Sequence, residues 1–134
     1  KSDTPYPRLL PQNKWAKVNV ITCAAPNLRE RPSNAFNTGD GNQAVKISPA
    51  QLEQIHIQRG RKILATAAAN KNEVIILGAF GCGAFMNNPE IVANAYTKLV
   101  EEFKNAFKVI EFAIYCSPRD DSNFRIFSDR IKVE

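Results

Sequence analysis

The residues best suited to chemistry in this chain form one glycine-rich run. Glu73-Val74-Ile75-Ile76-Leu77 is short, continuous and apolar, which marks a strand covered on both faces, and it opens directly into Gly78-Ala79-Phe80-Gly81-Cys82-Gly83-Ala84-Phe85. Asn88-Pro89-Glu90 follows, with a side-chain N-cap, a proline at the first helical position and an acidic residue at the positive helix end. A strand, glycines and a helix N-terminus in that order make an anion site. Glycines let a ligand come close, backbone N–H groups point at it, and the helix dipole favours negative charge. Ligands of open α/β sheets bind at this end of the strands.

Familiar phosphate loops do not fit the run. A P-loop requires G-x-x-x-x-G-K-[ST]; Gly78 and Gly83 have the spacing, but Ala84 and Phe85 stand where Lys and Ser/Thr are needed, which argues against ATP hydrolysis. The dinucleotide fingerprint needs a third glycine where Met86 stands. Cys82 in such a loop could be a thiolate activated by the helix end, yet Met86, Asn87 and Asn88 follow in place of a phosphate-clamping Arg. A small residue packed beside a ligand is the simpler reading. Of Phe80 and Phe85, one fills the core, and two rings flanking three glycines leave the other facing either a ligand or more packing. His56 is the single histidine and has no Cys, Asp or Glu partner near it in sequence, so it reads as a partly buried structural residue.

The elements that position this loop can be placed around it. Lys-Val-Asn-Val-Ile-Thr-Cys at 17–23 is β-branched and apolar, which predicts a first strand ended by Ala24-Ala25-Pro26-Asn27. Residues 28–47, with Pro32, Ser33, Asn34, Asn37, Gly39, Asp40, Gly41 and Asn42, read as a long and mobile loop. Ser48-Pro49-Ala50-Gln51 is a capping box with proline at N1, and it predicts a helix to about Asn70. Leu52, Ile55, Ile63 and Ala67 form its apolar face, with His56, Arg59 and Lys62 at the edge and Gly60 a mild weakness. The second helix buries Val92, Tyr96, Leu99, Phe103 and Ala106 or Phe107. A third strand spans 109–115, and Ser122 begins a short final helix near Ile131. Strands alternating with helices predict an α/β fold, a three-layer α/β/α sandwich on a mostly parallel sheet, although three strands are few for one.

Composition narrows the class. At 134 residues and 44% hydrophobic content the chain is a single domain with enough apolar surface for a core, and neither disordered nor collagenous. No apolar run approaches the roughly 18 residues of a membrane span. Cys23, Cys82 and Cys116 are odd in number and far apart, which argues against disulfides and zinc and for a cytoplasmic location. No metal and no cofactor are expected. The net charge of +5 invites nucleic acid, but only Arg59, Arg61 and Lys62 cluster, and they suit a solvated helix face. The same charge suits a small phosphate-bearing ligand.

Two segments carry a family resemblance. Val20-Ile21-Thr22-Cys23-Ala24-Ala25-Pro26-Asn27, followed after a helix by Leu77 and the run Gly78 to Phe85 with Asn87-Asn88-Pro89, resembles microbial-type poly(ADP-ribose) glycohydrolases, a branch of the macrodomain family. The Phe112-Ala113-Ile114-Tyr115 strand adds weak support, and the resemblance spans nearly the whole chain except 28–45. It implies an ADP-ribose pocket in which Gly78, Ala79, Phe80, Gly81, Cys82, Gly83, Ala84, Phe85 and Asn87 surround the diphosphate and distal ribose. Backbone N–H groups hold the diphosphate in this picture, and Phe85 lies against the ribose. Phe124 is a candidate for adenine stacking, with packing under the sheet as the alternative.

The family's second loop, three glycines followed by Gln-Glu-Glu with one glutamate as general acid, has no match here. Glu101-Glu102 lies inside the second helix without preceding glycines and reads as solvated surface. The resemblance therefore implies the C-terminal portion of such a macrodomain, starting mid-domain at Lys1-Ser2-Asp3, with no catalytic residue in this chain. Its expected partners are ADP-ribose or poly(ADP-ribose), and either the N-terminal half of the domain or a second copy. The alternatives are a reader that binds ADP-ribose without cleaving it and, behind it, a basic nucleic-acid module.

Overall fold

The computed structural model describes residues 6–30 and 44–131. Their order is a 3-10 turn at Gln12–Lys14, then α1 (Pro49–Ala69), β1 (Val74–Leu77), α2 (Pro89–Phe103), β2 (Val109–Phe112) and α3 (Ser122–Arg130). Both long helices begin as their caps dictate. Ser48 Oγ accepts from the Gln51 N–H at 3.3 Å while Gln51 Oε1 accepts from the Ser48 N–H at 3.1 Å, the reciprocal pair of a capping box. Asn88 Oδ1 accepts from the N–H groups of Glu90 at 2.8 Å and Ile91 at 3.4 Å, so two otherwise orphaned donors of α2 are satisfied.

β1 and β2 pair in parallel, with Val74 opposite Val109 and Leu77 opposite Phe112, and α2 makes the crossover. Alternation along the strands turns Ile75, Leu77, Ile110 and Phe112 toward the helices. There they meet Leu64 and Ala67 of α1, Val92, Tyr96 and Leu99 of α2, and Phe127 of α3 in one core. The opposite face carries Val74 (50% exposed), Ile76 (64%) and Val109 (47%). The fold is thus α/β with a parallel sheet, and among the described residues helices cover one face of it.

Three expectations need correction. Residues 17–23 form no strand: they are exposed and make no ladder bonds among the described residues. The segment does run beside β1, with Asn19 Nδ2 donating to Asn72 Oδ1 at 2.7 Å just before that strand and Ala25 lying against Gly81 just after it. β-branched residues favour extended backbone, but only a ladder partner makes a strand of it. The third strand ends at Phe112, short of Tyr115, because the pairing runs out with β1, although the Ala113 N–H still reaches Leu77 O at 2.8 Å.

The third correction concerns α1, whose buried face is Leu52, His56, Gly60, Leu64 and Ala67, while Ile55 and Ile63 are only partly covered. The stripe is rotated because Gly60 admits α2: a Cβ there would lie 2.4 Å from Leu99 Cδ1. His56 is carried from the edge into the core with it. Pro32 to Asn42 of the expected mobile loop, and Lys1-Ser2-Asp3, lie outside the described residues.

Candidate functional site

The run after β1 folds back on itself as a compact loop. The Cys82 N–H donates to Ala79 O at 3.0 Å, the Met86 N–H to Gly83 O at 2.9 Å and the Asn87 N–H to Gly81 O at 3.0 Å. Gly81 holds φ at +82°, the left-handed region that favours glycine. A Cβ on it would lie 2.7 Å from both Ala25 Cβ and Asn87 Nδ2. Two requirements therefore make this residue glycine, one conformational and one of space. Gly83 differs, since a Cβ there meets nothing within 4 Å. The N–H groups of Gly83, Ala84 and Phe85 have no acceptor among the described residues. They lie on the exposed turn leading to the α2 N-terminus, donors in an electropositive place.

Asn87 organises the loop from inside. It is 2% exposed, and its Nδ2 sits 2.7 Å from Pro26 O, 3.0 Å from Gly81 O and 3.3 Å from Phe85 O. Its Oδ1 faces His56 Nε2 at 2.9 Å. Just after the Ala24–Asn27 stretch the Leu28 N–H donates to Phe85 O of the loop at 3.0 Å, and Arg59 Nη1 of α1 donates to Ala24 O at 2.6 Å. In the sequence Ala24-Ala25-Pro26-Asn27 reads as the end of a strand and as part of a family motif, and Asn87 is placed with the ligand-facing residues. The structure makes both of them the frame of the loop. A buried amide with several carbonyls to satisfy leaves no periodic signal, so spacing could not reveal it.

The two phenylalanines divide the roles left open by sequence. Phe80 packs against the core and meets the His56 ring edge to face at 5.8 Å. Phe85 is half-buried at the surface, with the Arg29 guanidinium 5.5 Å from its centroid. Arg29, which sequence reading passed over, thus brings positive charge to the loop, its Nε donating to Asn27 Oδ1 at 3.0 Å. Burial pushes the Cys82 thiol up to about 12, so it is a neutral packed residue at physiological pH. Gly78 and Ala79 lead out of β1, and Gly78 approaches Ala113 O. Phe124 lies on α3, 47% exposed.

Other candidates resolve quietly. Glu102 bonds Arg61 of α1 through both carboxylate oxygens and Glu101 pairs with Lys104, so this acidic pair is spent on surface contacts. Two open depressions of the described surface lie along α1, one of about 320 Å³ lined by Gln58, Arg61, Lys62 and Ala65. No convergent hydrogen-bonding geometry accompanies it, and the glycine loop is the better-organised site. Among the described residues no cluster of His, Cys, Asp or Glu could hold a metal, and no helix is long and apolar enough to cross a membrane.

No protein-family model and no curated protein sequence matches the chain, whereas solved structures do. The poly(ADP-ribose) glycohydrolase of Thermomonospora curvata superposes with a TM-score of 0.61 at 26% identity, over 79% of this chain and 35% of that one. The Deinococcus radiodurans poly(ADP-ribose) glycohydrolase in complex with ADP-ribose gives 0.53 at 33% identity, over 61% and 35%, and its apo form gives 0.54 at 32%, over 61% and 35%. The chain spans about a third of the length of the structures it matches. In sequence and in fold it is therefore similar to part of a microbial-type poly(ADP-ribose) glycohydrolase, a partial α/β macrodomain.

Proposed function

We propose that this chain is the ADP-ribose-binding part of a poly(ADP-ribose) glycohydrolase-like macrodomain. The diphosphate and distal ribose would sit on the 78–85 loop, with Phe85 against the ribose. The observation that carries this reading is the set of unpaired N–H groups at Gly83, Ala84 and Phe85, beside open space at Gly83 and next to the α2 N-terminus. Relatives of the same fold include a glycohydrolase in complex with ADP-ribose, which supports the choice of anion. In the complete protein, ribosyl linkages of ADP-ribosylated substrates would be hydrolysed by a glutamate loop outside this chain. This C-terminal portion would then dock onto the preceding half, whose helices would cover the bare sheet face as the third layer.

The test is calorimetry with ADP-ribose and ADP on the 134-residue chain and its Gly83→Val variant. Because a side chain at Gly83 meets open space, the variant should keep its melting temperature and lose ADP-ribose binding. Gly81→Val should instead destabilise the fold. Undiminished affinity in folded Gly83→Val would refute the cradle.

A second reading is a module that binds ADP-ribose on the same loop without cleaving it. Release of ADP-ribose from polymer by the protein that contains this chain would decide for hydrolysis.

A further inference from the structure

His56 lies on α1, with β1 between it and the loop in chain order, and the described contacts tie the two together. It is fully buried on α1, its Nε2 is 2.9 Å from Asn87 Oδ1, and Phe80 holds the flat of the interaction edge to face. The direction of this hydrogen bond follows from the far side of Asn87. Three carbonyl oxygens, of Pro26, Gly81 and Phe85, surround one end of that amide, so that end must be the NH2 group. The other end is then the oxygen, and His56 must carry its ring proton on Nε2 to donate to it. In the neutral ring Nδ1 is left as a bare acceptor, and it is buried with no partner among the described residues. An unsatisfied buried acceptor is destabilising, and an aliphatic side chain of similar volume would avoid the penalty. The ring is thus placed at a cost to the core, and what it contributes in return is the grip on Asn87.

We propose that His56 is a positioning residue of the 78–87 loop: its Nε2–H fixes the Asn87 amide, which holds the Pro26, Gly81 and Phe85 carbonyls and so anchors both ends of the turn that bears the Gly83, Ala84 and Phe85 N–H groups. The peptide units whose carbonyls meet Asn87 in this run, Gly81–Cys82 and Phe85–Met86, have their N–H groups taken up inside the loop by Ala79 O and Gly83 O, so the turn between them is anchored at both ends. One turn further along α1, Arg59 grips Ala24 O, so the same helix holds both segments that meet at Gly81. This inference deepens the ADP-ribose reading and rests on it for the identity of the ligand, but the tautomer and the loop's arrangement are open to measurement without any ligand.

The experiment uses the full chain. Long-range 15N–1H NMR of the wild type should show the His56 proton on Nε2; a proton on Nδ1 would overturn the proposal. His56→Leu should shift the amide peaks of Gly81, Gly83, Phe85 and Asn87 and weaken ADP-ribose binding about tenfold, the scale of one buried hydrogen bond. His56→Gln, whose amide can again donate, should restore both. Unmoved loop peaks in folded His56→Leu, or no recovery in His56→Gln, would overturn it. Should His56→Leu fail to fold, Asn87→Asp serves instead: nearly the same shape, but an oxygen set against three carbonyl oxygens, which must displace the same peaks if the amide organises the loop. Absence of ADP-ribose binding by the wild type alongside these NMR outcomes would sink the choice of ligand and leave the positioning role intact.

Discussion

His56 shows how a single side chain links folding to acidity. Burial, only partly offset by the Asn87 hydrogen bond and reinforced by the nearby Arg59 charge, lowers its pKa below the ordinary 6.5. A second ring proton would sit on Nδ1, which has no acceptor among the described residues. The unfolded chain takes up that proton near pH 6.5 while the folded one resists it, so the stability conferred by the neutral ring is complete above that pH and is lost as the pH falls below it. The loss is at most about 1.4 kcal/mol per pH unit for one proton. Urea midpoints at pH 7.5 and 5.5 should therefore differ, and the difference should shrink in His56→Gln. Equal shifts in both proteins would place the effect elsewhere. Cys82 offers a second residue-level test. With its thiol pushed up to about 12 by burial, it should be alkylated by iodoacetamide after the exposed Cys23 and Cys116, as read by peptide mass spectrometry. First labelling at Cys82 would mean that the loop is open.

At the scale of elements, helix ends were legible because caps are local. Ser48 with Gln51, and Asn88 with Pro89, act within four residues, and the structure starts both helices there. The face a helix buries is not local. Leu52 and Ala67 were read correctly on α1, but the stripe between them runs through His56 and Gly60, and not through Ile55 and Ile63, because Leu99 of α2 needs the space over Gly60. Gly60→Val should cost about 1–3 kcal/mol, since the new side chain must displace a fully buried Leu99 and a β-branched residue offers little helix propensity to offset it. Thermal or urea unfolding measures this, and an unchanged stability would show that the helices do not approach so closely. The strand expected at 17–23 had the right composition and the right course beside β1 but lacks a ladder. Propensity is satisfied there without pairing, which no composition can guarantee.

At the scale of the whole molecule, the sheet is the unfinished part. Parallel sheets are normally covered on both faces, yet Val74, Ile76 and Val109 are exposed on the side away from the helices. An apolar face, and a β1 edge with no ladder partner among the described residues, favour association. Sedimentation at rising concentration should show self-association of the chain, and Ile76→Lys should reduce it with little change in melting temperature, because an exposed position of this kind contributes within about 0.5 kcal/mol to stability. A monomer at every concentration would indicate that this face is shielded. The ion pairs Arg61–Glu102 and Glu53–Lys98 bridge α1 and α2 at the surface.

By itself the sequence determined the α/β class, the caps that start α1 and α2, and the glycine loop at the C-terminal end of a buried strand, together with its resemblance to one family. Each of these rests on neighbours within a few residues, or on a period, and both are written in order along the chain. Tertiary structure alone decided that Asn87 turns inward, that His56 holds it from α1, that Phe80 packs while Phe85 meets Arg29, and that residues 17–23 stay unpaired. Those outcomes depend on which carbonyls, rings and strand edges arrive together from distant parts of the chain. A buried amide answers only to the groups that surround it.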